Sequence, residues 1–299
     1  MTRTDPGRHG TPLGWGPVLL RLAPLGLPVA VLFLGGLGLT VAQSLGALLP
    51  VPAGLSAAEA WATLLEPWAL KAWALSLWVG LASALGSVAL GVVLAWGLWR
   101  LPSRWQPLAT IYKLPLILPH VAAGFIVLIL FGQSGLAASV CHQLGLIAQP
   151  SEFPSLLYTP FGTGMILAYV FKQTPFVILL CLAALRRLDP QLETTAIMLG
   201  AGRWQRFRGI ILPHCAPTLH TAFIILFLYA FGAFDIPWLL AGSSPGMLPV
   251  EVYTLYFQHD LADRPQAMAL LAAMFLFSVG CIALYARLAH RVGWQERGL

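Results

Sequence analysis

Long unbroken apolar runs alternate with short polar segments along the 299 residues. Residues 72–99, 209–234 and 265–286 hold no Asp, Glu, Lys or Arg. A helix needs roughly 20 apolar residues to cross the hydrocarbon of a bilayer. In lipid every backbone polar group must be satisfied internally, which leaves helices or closed barrels. The short alternating segments of a barrel are absent, so these runs predict helices. Six spans result, at about 18–41, 72–98, 107–132, 161–185, 217–240 and 265–287. The expected fold is all-α and polytopic, with six transmembrane helices.

Prolines punctuate the middle spans. Pro115 and Pro119 fall in span three, Pro175 in span four and Pro237 in span five. Each removes a helix hydrogen bond and predicts a kink. Broken helices often line a pathway, although proline is also commoner in membrane helices generally. Four in three consecutive spans favour a pathway.

Composition agrees with the pattern. The chain is 58% hydrophobic and 9% charged, against about 25% charged in a soluble domain. Mean hydropathy is +0.79. A net charge of +6 would suggest nucleic acid in a soluble protein. Here it reads as topology, because Lys and Arg collect in cytoplasmic loops, so lipid and not nucleic acid is the expected partner. With the N-terminus inside, 13 of the 17 cations lie on the inner side; only Lys71 and Arg264 lie outside, and Lys113 and Lys172 lie within spans. Both termini are therefore expected in the cytoplasm.

The expected organisation is a cytoplasmic tail over 1–17, a first span at 18–41, a periplasmic segment over 42–70, a core over 71–289 and a cytoplasmic tail over 290–299. The first apolar run exceeds the 7–15 residues of a signal-peptide core, so it is read as a retained helix. Segment 56–66 has helix character and is expected along the outer surface. Segment 134–160 is expected to be loop with one short helix. The four cysteines are scattered without metal or redox spacing, so no disulfide framework is expected. His214 and His220 fall on different helix faces and predict no metal site. No catalytic set is visible.

One segment breaks the pattern. Residues 188–213 read LDPQLETTAIMLGAGRWQRFRGIILP, and 186–213 hold seven of the 28 charged residues. Asp189 is a suitable N-cap, with Pro190 at the first helical position. A short helix should follow over about 190–199, with Leu192, Ala196 and Leu199 on one face. Gly200 suits the residue just past its end. A second helix should start at about Arg203, with Trp204, Phe207 and Ile211 sharing a face and Pro213 closing it. Apolar and aromatic residues rimmed by arginine have the composition of a docking surface. An amphipathic linker on the membrane surface is the bland alternative.

The order L-D-P-x-L, a small-residue triplet, L-G-A, W-x-x-F and L-P resembles the EAA loop of bacterial ABC importer permeases. In that motif E-A-A is followed by three residues, G, nine residues, I, one residue and L-P. Here Gly200 fills the glycine position, and Ile210, Leu212 and Pro213 follow at the matching spacing. The triplet falls on Thr194, Thr195 and Ala196, so threonine stands where the family has glutamate. Glu193 lies one position early, about 100° around the helix. Segments 59–101, YKLPLILPHVAAGFIVLILFG, KQTPFVILLCLAALRRLDP, FGAFDIPWLLAG and DLADRPQAMAL also resemble the family. The last two are similar to its spermidine/putrescine-type branch, which includes permeases for thiamine, iron, sulfate and phosphonates.

The resemblance implies a MetI-like ABC permease fold in the bacterial inner membrane. It implies that Thr194, Thr195, Ala196, Leu199, Gly200, Arg203, Trp204, Arg206 and Phe207 couple to an ATPase. The implied partners are two ATP-binding subunits, a second permease, identical or homologous, and a periplasmic solute-binding protein. The chain has no G-x-x-x-x-G-K-[ST] phosphate loop, so ATP and Mg belong to the partner and the chain itself is not an enzyme and binds no cofactor. The implied solute is small, polyamine-like or one of the branch's other substrates. An ion-coupled carrier working without an ATPase is the rival; it explains six spans but not the loop.

Ionisable residues within spans are candidates for function. Lys113 is near an end and can snorkel. Lys172 and Asp235 are expected either to pair across two helices or to leave Asp235 facing a cationic solute. Gln173, Thr174 and Tyr229 are further lining candidates.

Overall fold

The computed structural model describes residues 15–105, 107, 110–242 and 246–291. The expected tails over 1–17 and 290–299 lie almost wholly outside these residues. The helices are α1 (Trp15–Ser44), α2 (Ala57–Ala62), α3 (Pro67–Trp99), α4 (Leu114–Ile117), α5 (His120–Phe131), α6 (Leu136–Gln143) and α7 (Thr163–Leu185). They continue as α8 (Pro190–Met198), α9 (Arg203–Arg206), α10 (Leu212–Gly232), α11 (Asp235–Leu240), α12 (Leu248–Phe257) and α13 (Arg264–Arg291). Among the described residues six stretches are long and apolar enough to cross a membrane. The protein is an all-α, multi-pass membrane protein.

Helices α3, α7 and α10 pack on one another and form the centre. The buried face of α3 carries Ala72, Ser76, Gly80, Ser83, Ala84, Ser87, Gly91 and Ala95. Small residues let helix backbones approach when lipid supplies no hydrophobic drive for association. A Cβ built on Gly91 would lie 2.5 Å from Val177 Cβ. Gly91→Ala should therefore destabilise the α3–α7 contact by about 1–3 kcal/mol through overpacking. A lowered thermal midpoint of the purified chain in detergent is the check; an unchanged midpoint would show that α3 and α7 can part freely.

Around this centre, α5 and α11 pack together and against α7, and α12 packs against α13 and α3. Helix α1 lies against α13, with Phe33 and Phe275 at 6.1 Å. Residues 20–36 of α1 are exposed, as befits a lipid-facing helix, and Gln43 and Ser44 at its end are buried. The predicted helix over 56–66 is α2, started by a capping box in which Ser56 and Glu59 bond reciprocally. Those bonds from Ser56 hold the exposed Glu59 carboxyl below its usual range.

Three expectations need correction. Span three does not run as one helix over 107–132. Its long part starts at His120, and Lys113 stands on a preceding 3-10 turn, Thr110–Lys113. Leu118 is extended, and Pro119 stands as the N-cap of α5. Proline disfavours helical geometry in the residue before it, so Pro119 ends one helix and starts another instead of kinking a single one. The helix that carries span five begins at Arg203, ahead of 217, and ends at Gly232. Asp235 and Pro237 belong to the separate α11, where proline falls in the first turn and removes no intrahelical bond. Nor does Pro213 close the loop element. A π-turn over Phe207–Ile211 joins α9 to α10 without a break in helical direction. The widened turn accommodates a proline that can donate no hydrogen bond.

Candidate functional site

The segment 186–213 folds as a helical hairpin at the end of the bundle where α3 and α7 terminate. Asp189 Oδ1 accepts from Gln191 N at 2.9 Å and caps α8. At the other end, Gly200 N donates to Ile197 O and Ala201 N to Ala196 O, both at 2.9 Å. These two bonds are a Schellman stop, which needs a left-handed residue. Gly200 supplies it with φ +78°. Gln205 Oε1 then accepts from Gly202 N at 2.7 Å and starts α9.

The tip of the hairpin is apolar and open. Met198 is 83% exposed, Leu199 82% and Trp204 63%, with Leu192 and Ile197 also exposed. Thr194, Thr195 and Arg203 are exposed beside them, and Ala196 is half-buried. Thr194 Oγ1 donates to Pro190 O at 3.0 Å, within its own helix. Exposed apolar residues this dense, on a turn held by caps at both ends, make a rigid projection.

Two of the residues expected to meet a partner point inward instead. Phe207 is only 5% exposed and packs on Trp96 of α3 at 4.9 Å and on Trp204 at 5.4 Å. Arg206 Nη1 pairs with Glu193 Oε1 at 3.0 Å. Glu193 also bonds Arg100, the C-cap of α3. Arg100 in turn lies over the Trp96 ring at 4.4 Å. Glu193 thus ties α8 to α9 and to α3, a role invisible in the motif spacing.

Mid-bundle, Lys172 is almost fully buried. Its Nζ donates to the carbonyls of Pro115 (2.6 Å), Leu116 (3.1 Å) and Leu118 (2.5 Å). These oxygens lie in α4 and at the break after it, where helical partners are missing. A cation at a helix C-terminus is favoured further by the helix dipole. Among the described residues no ion pair joins Lys172 to Asp235. The expected cross-helix pairing is replaced by backbone capping. Neighbouring Gln173 accepts from Ser87 Oγ at 3.2 Å and donates to Leu226 O at 3.3 Å, linking α7 to α3 and α10.

Lys172, Gln173 and Tyr229 line one cavity of about 280 Å³ with Leu116, His120 and Phe176. The His120 and Tyr229 rings lie 5.1 Å apart. Asp235 is not in its lining. It is exposed at the start of α11. Thr174 is turned away and donates to Val170 O at 2.6 Å. His120 was not singled out in the sequence; its place directly after the Leu118-Pro119 break is the signal that marks it. His214 contacts Ala184 O at 3.0 Å.

Residues 87–294 match the model of the family described as binding-protein-dependent transport system inner membrane component. The sulfate transport system permease protein CysT of Escherichia coli (strain K12) is 27% identical over 254 residues, covering 83% of this chain and 88% of that protein. The molybdenum transport system permease protein ModB of Azotobacter vinelandii is 28% identical over 205 residues, 68% of this chain and 87% of that one. The thiamine transport system permease protein ThiP of Escherichia coli (strain K12) is 28% identical over 233 residues, 74% of this chain and 41% of that one. These names give the expected polyamine solute no support. In fold, the chain resembles a chain of a bacterial ABC transporter involved in import of the acidic polysaccharide alginate. The TM-score is 0.73 with 20% identity, covering 93% of this chain and 96% of that one. The match over 87–294 takes in the hairpin, the capped break and the cavity, and the chain belongs to the binding-protein-dependent inner membrane components, the permeases of ABC importers.

Proposed function

We propose that the chain is one of two permeases in an ATP-driven importer of the bacterial inner membrane, and that its hairpin seats in a groove on an ATPase subunit. The observation that carries this reading is the open apolar tip, Met198, Leu199 and Trp204, held rigid by caps at Asp189 and Gly200 and by Glu193 from behind. An apolar cluster beside Arg203 suits a protein groove better than lipid headgroups alone. The excess of arginine at this end supports a cytoplasmic hairpin and cytoplasmic termini. ATP and Mg then act on the partner, whose closure pulls the hairpins and rocks the spans.

On the opposite side a periplasmic binding protein delivers the solute. One related assembly is a bacterial alginate ABC transporter in complex with an alginate-bound periplasmic protein, and both CysT and CysW are sulfate permease names. A cavity of about 280 Å³ is at or below the lower end of ligand pockets, roughly 300 Å³. It favours a small solute of the sulfate, molybdate or thiamine order over a polysaccharide.

Gly200→Trp tests the reading. The tip has room for a side chain, but φ +78° costs an L-residue about 1–2 kcal/mol. The variant should insert in the membrane normally while solute uptake in vesicles carrying the whole importer falls at least about tenfold. Uptake at the wild-type rate, or uptake by this chain without any ATPase, would overturn it.

A further inference from the structure

At the hairpin end of the bundle a second cavity, of about 410 Å³, opens between the ends of α3 and α7 and the turn before α4. Lys113, Arg186, Thr110 and Tyr112 supply its polar wall; Leu98, Trp99 and Leu182 supply the apolar one. The Lys113 ammonium lies 5.9 Å from the Tyr112 ring. Among the described residues neither Lys113 nor Arg186 has a carboxylate within ion-pair distance. Two cationic and two hydroxyl residues therefore line one concave space, with no acidic residue in its lining among the described residues. Nothing in the coupling or transport reading uses them.

The setting bears on which class of anion fits. Arg186 directly follows the last residue of α7, and Trp99 is the last of α3, so the cavity sits where spans meet the polar boundary. Trp and Tyr gather at headgroup level, and Lys and Arg there reach toward it along apolar stems. Basic pockets between transmembrane helices on the positive side suit phospholipid headgroups. The cavity pairs a cationic mouth with an apolar wall, which fits a phosphodiester carrying acyl chains better than a free ion. We propose that this cavity seats the phosphate of an anionic phospholipid, with Lys113 and Arg186 on the phosphate, Thr110 and Tyr112 donating hydroxyls, and Leu98, Trp99 and Leu182 against the glycerol and first methylenes. The site is independent of the substrate cavity and of the ATPase reading.

The test is native mass spectrometry of the detergent-purified full chain titrated with phosphatidylglycerol, phosphatidylcholine or inorganic phosphate. The wild type should bind phosphatidylglycerol in preference to phosphatidylcholine, with phosphate failing to displace it. Lys113→Gln with Arg186→Gln should weaken phosphatidylglycerol on the order of twentyfold, since each cation near a membrane surface contributes roughly a fivefold factor. Arg104→Gln with Arg187→Gln removes the same charge from exposed positions outside the cavity and should change binding less than twofold. Equal losses in both double variants, or no loss in the first, would overturn the site. Displacement by inorganic phosphate would overturn the lipid as its source. If the first double variant does not run as a single species, photocrosslinking of the wild type with a photoreactive anionic lipid decides: adducts within 98–113 and 182–186 support the seat, and adducts elsewhere refute it.

Discussion

Lys172→Met should unseat the break between α4 and α5 and destabilise the protein by about 3–6 kcal/mol. Three carbonyl oxygens, those of Pro115, Leu116 and Leu118, take their hydrogen bonds from this one ammonium. Each of these half-buried acceptors left without a donor costs about 1–2 kcal/mol, and the middle of a membrane offers little water in compensation. Methionine keeps the length of the stem and removes the donors, so packing loss is small and the polar loss dominates. The purified chain in detergent should show a markedly lower thermal midpoint, and Lys172→Arg should recover part of it, because a guanidinium supplies several donors. A midpoint for Lys172→Met at the wild-type value would mean that the carbonyls find other donors and that the break is not held by Lys172.

Glu193→Gln should free the hairpin from α3 without unfolding the bundle. The carboxylate meets both Arg100 and Arg206, and its side chain is 15% exposed. A fully buried pair broken on one side costs about 3–5 kcal/mol; partial solvation brings the expected cost here to about 1–3 kcal/mol. The loss falls on Arg206 most, because its Nε already has no partner. Amide hydrogen exchange should quicken over 190–206 and stay unchanged over 67–99. In a reconstituted importer, ATP turnover should persist while solute moved per ATP declines. Unchanged exchange in Glu193→Gln would show that aromatic packing of Phe207 on Trp96 suffices to hold the hairpin.

The parts of this molecule legible in its sequence are those governed by local rules. Span existence followed from apolar length, and α8 followed from Asp189 and Gly200, whose geometric demands are met by few residue types. The breaks were harder. Residues 114–131 are almost wholly apolar, so an interrupted helix and a continuous one look alike, and only the pair Pro115 and Pro119 hints at the interruption. The partner of Lys172 was not legible because it is backbone; a carbonyl has no letter in the sequence. The buried face of α3 escaped for a related reason. It is marked by small side chains amid larger apolar ones, and a hydrophobic periodicity does not register size. At the hairpin, spacing identified the tip but could not separate Trp204, which is exposed, from Phe207, three positions on and buried against α3.

The π-turn over Phe207–Ile211 has a geometric consequence for how motion leaves the hairpin. A widened turn accommodates one residue more than an α-helix would, and each residue of an α-helix corresponds to 100° about its axis. The five residues therefore act as a phase adjuster between two ends of one rod. The tip at Trp204 and the cavity wall at Tyr229 keep nearly the relative azimuth that an unbroken α-helix one residue shorter would give them. A single deletion here should therefore convert the widened turn to ordinary α-helix and leave Trp204 and Tyr229 in nearly the same relative orientation.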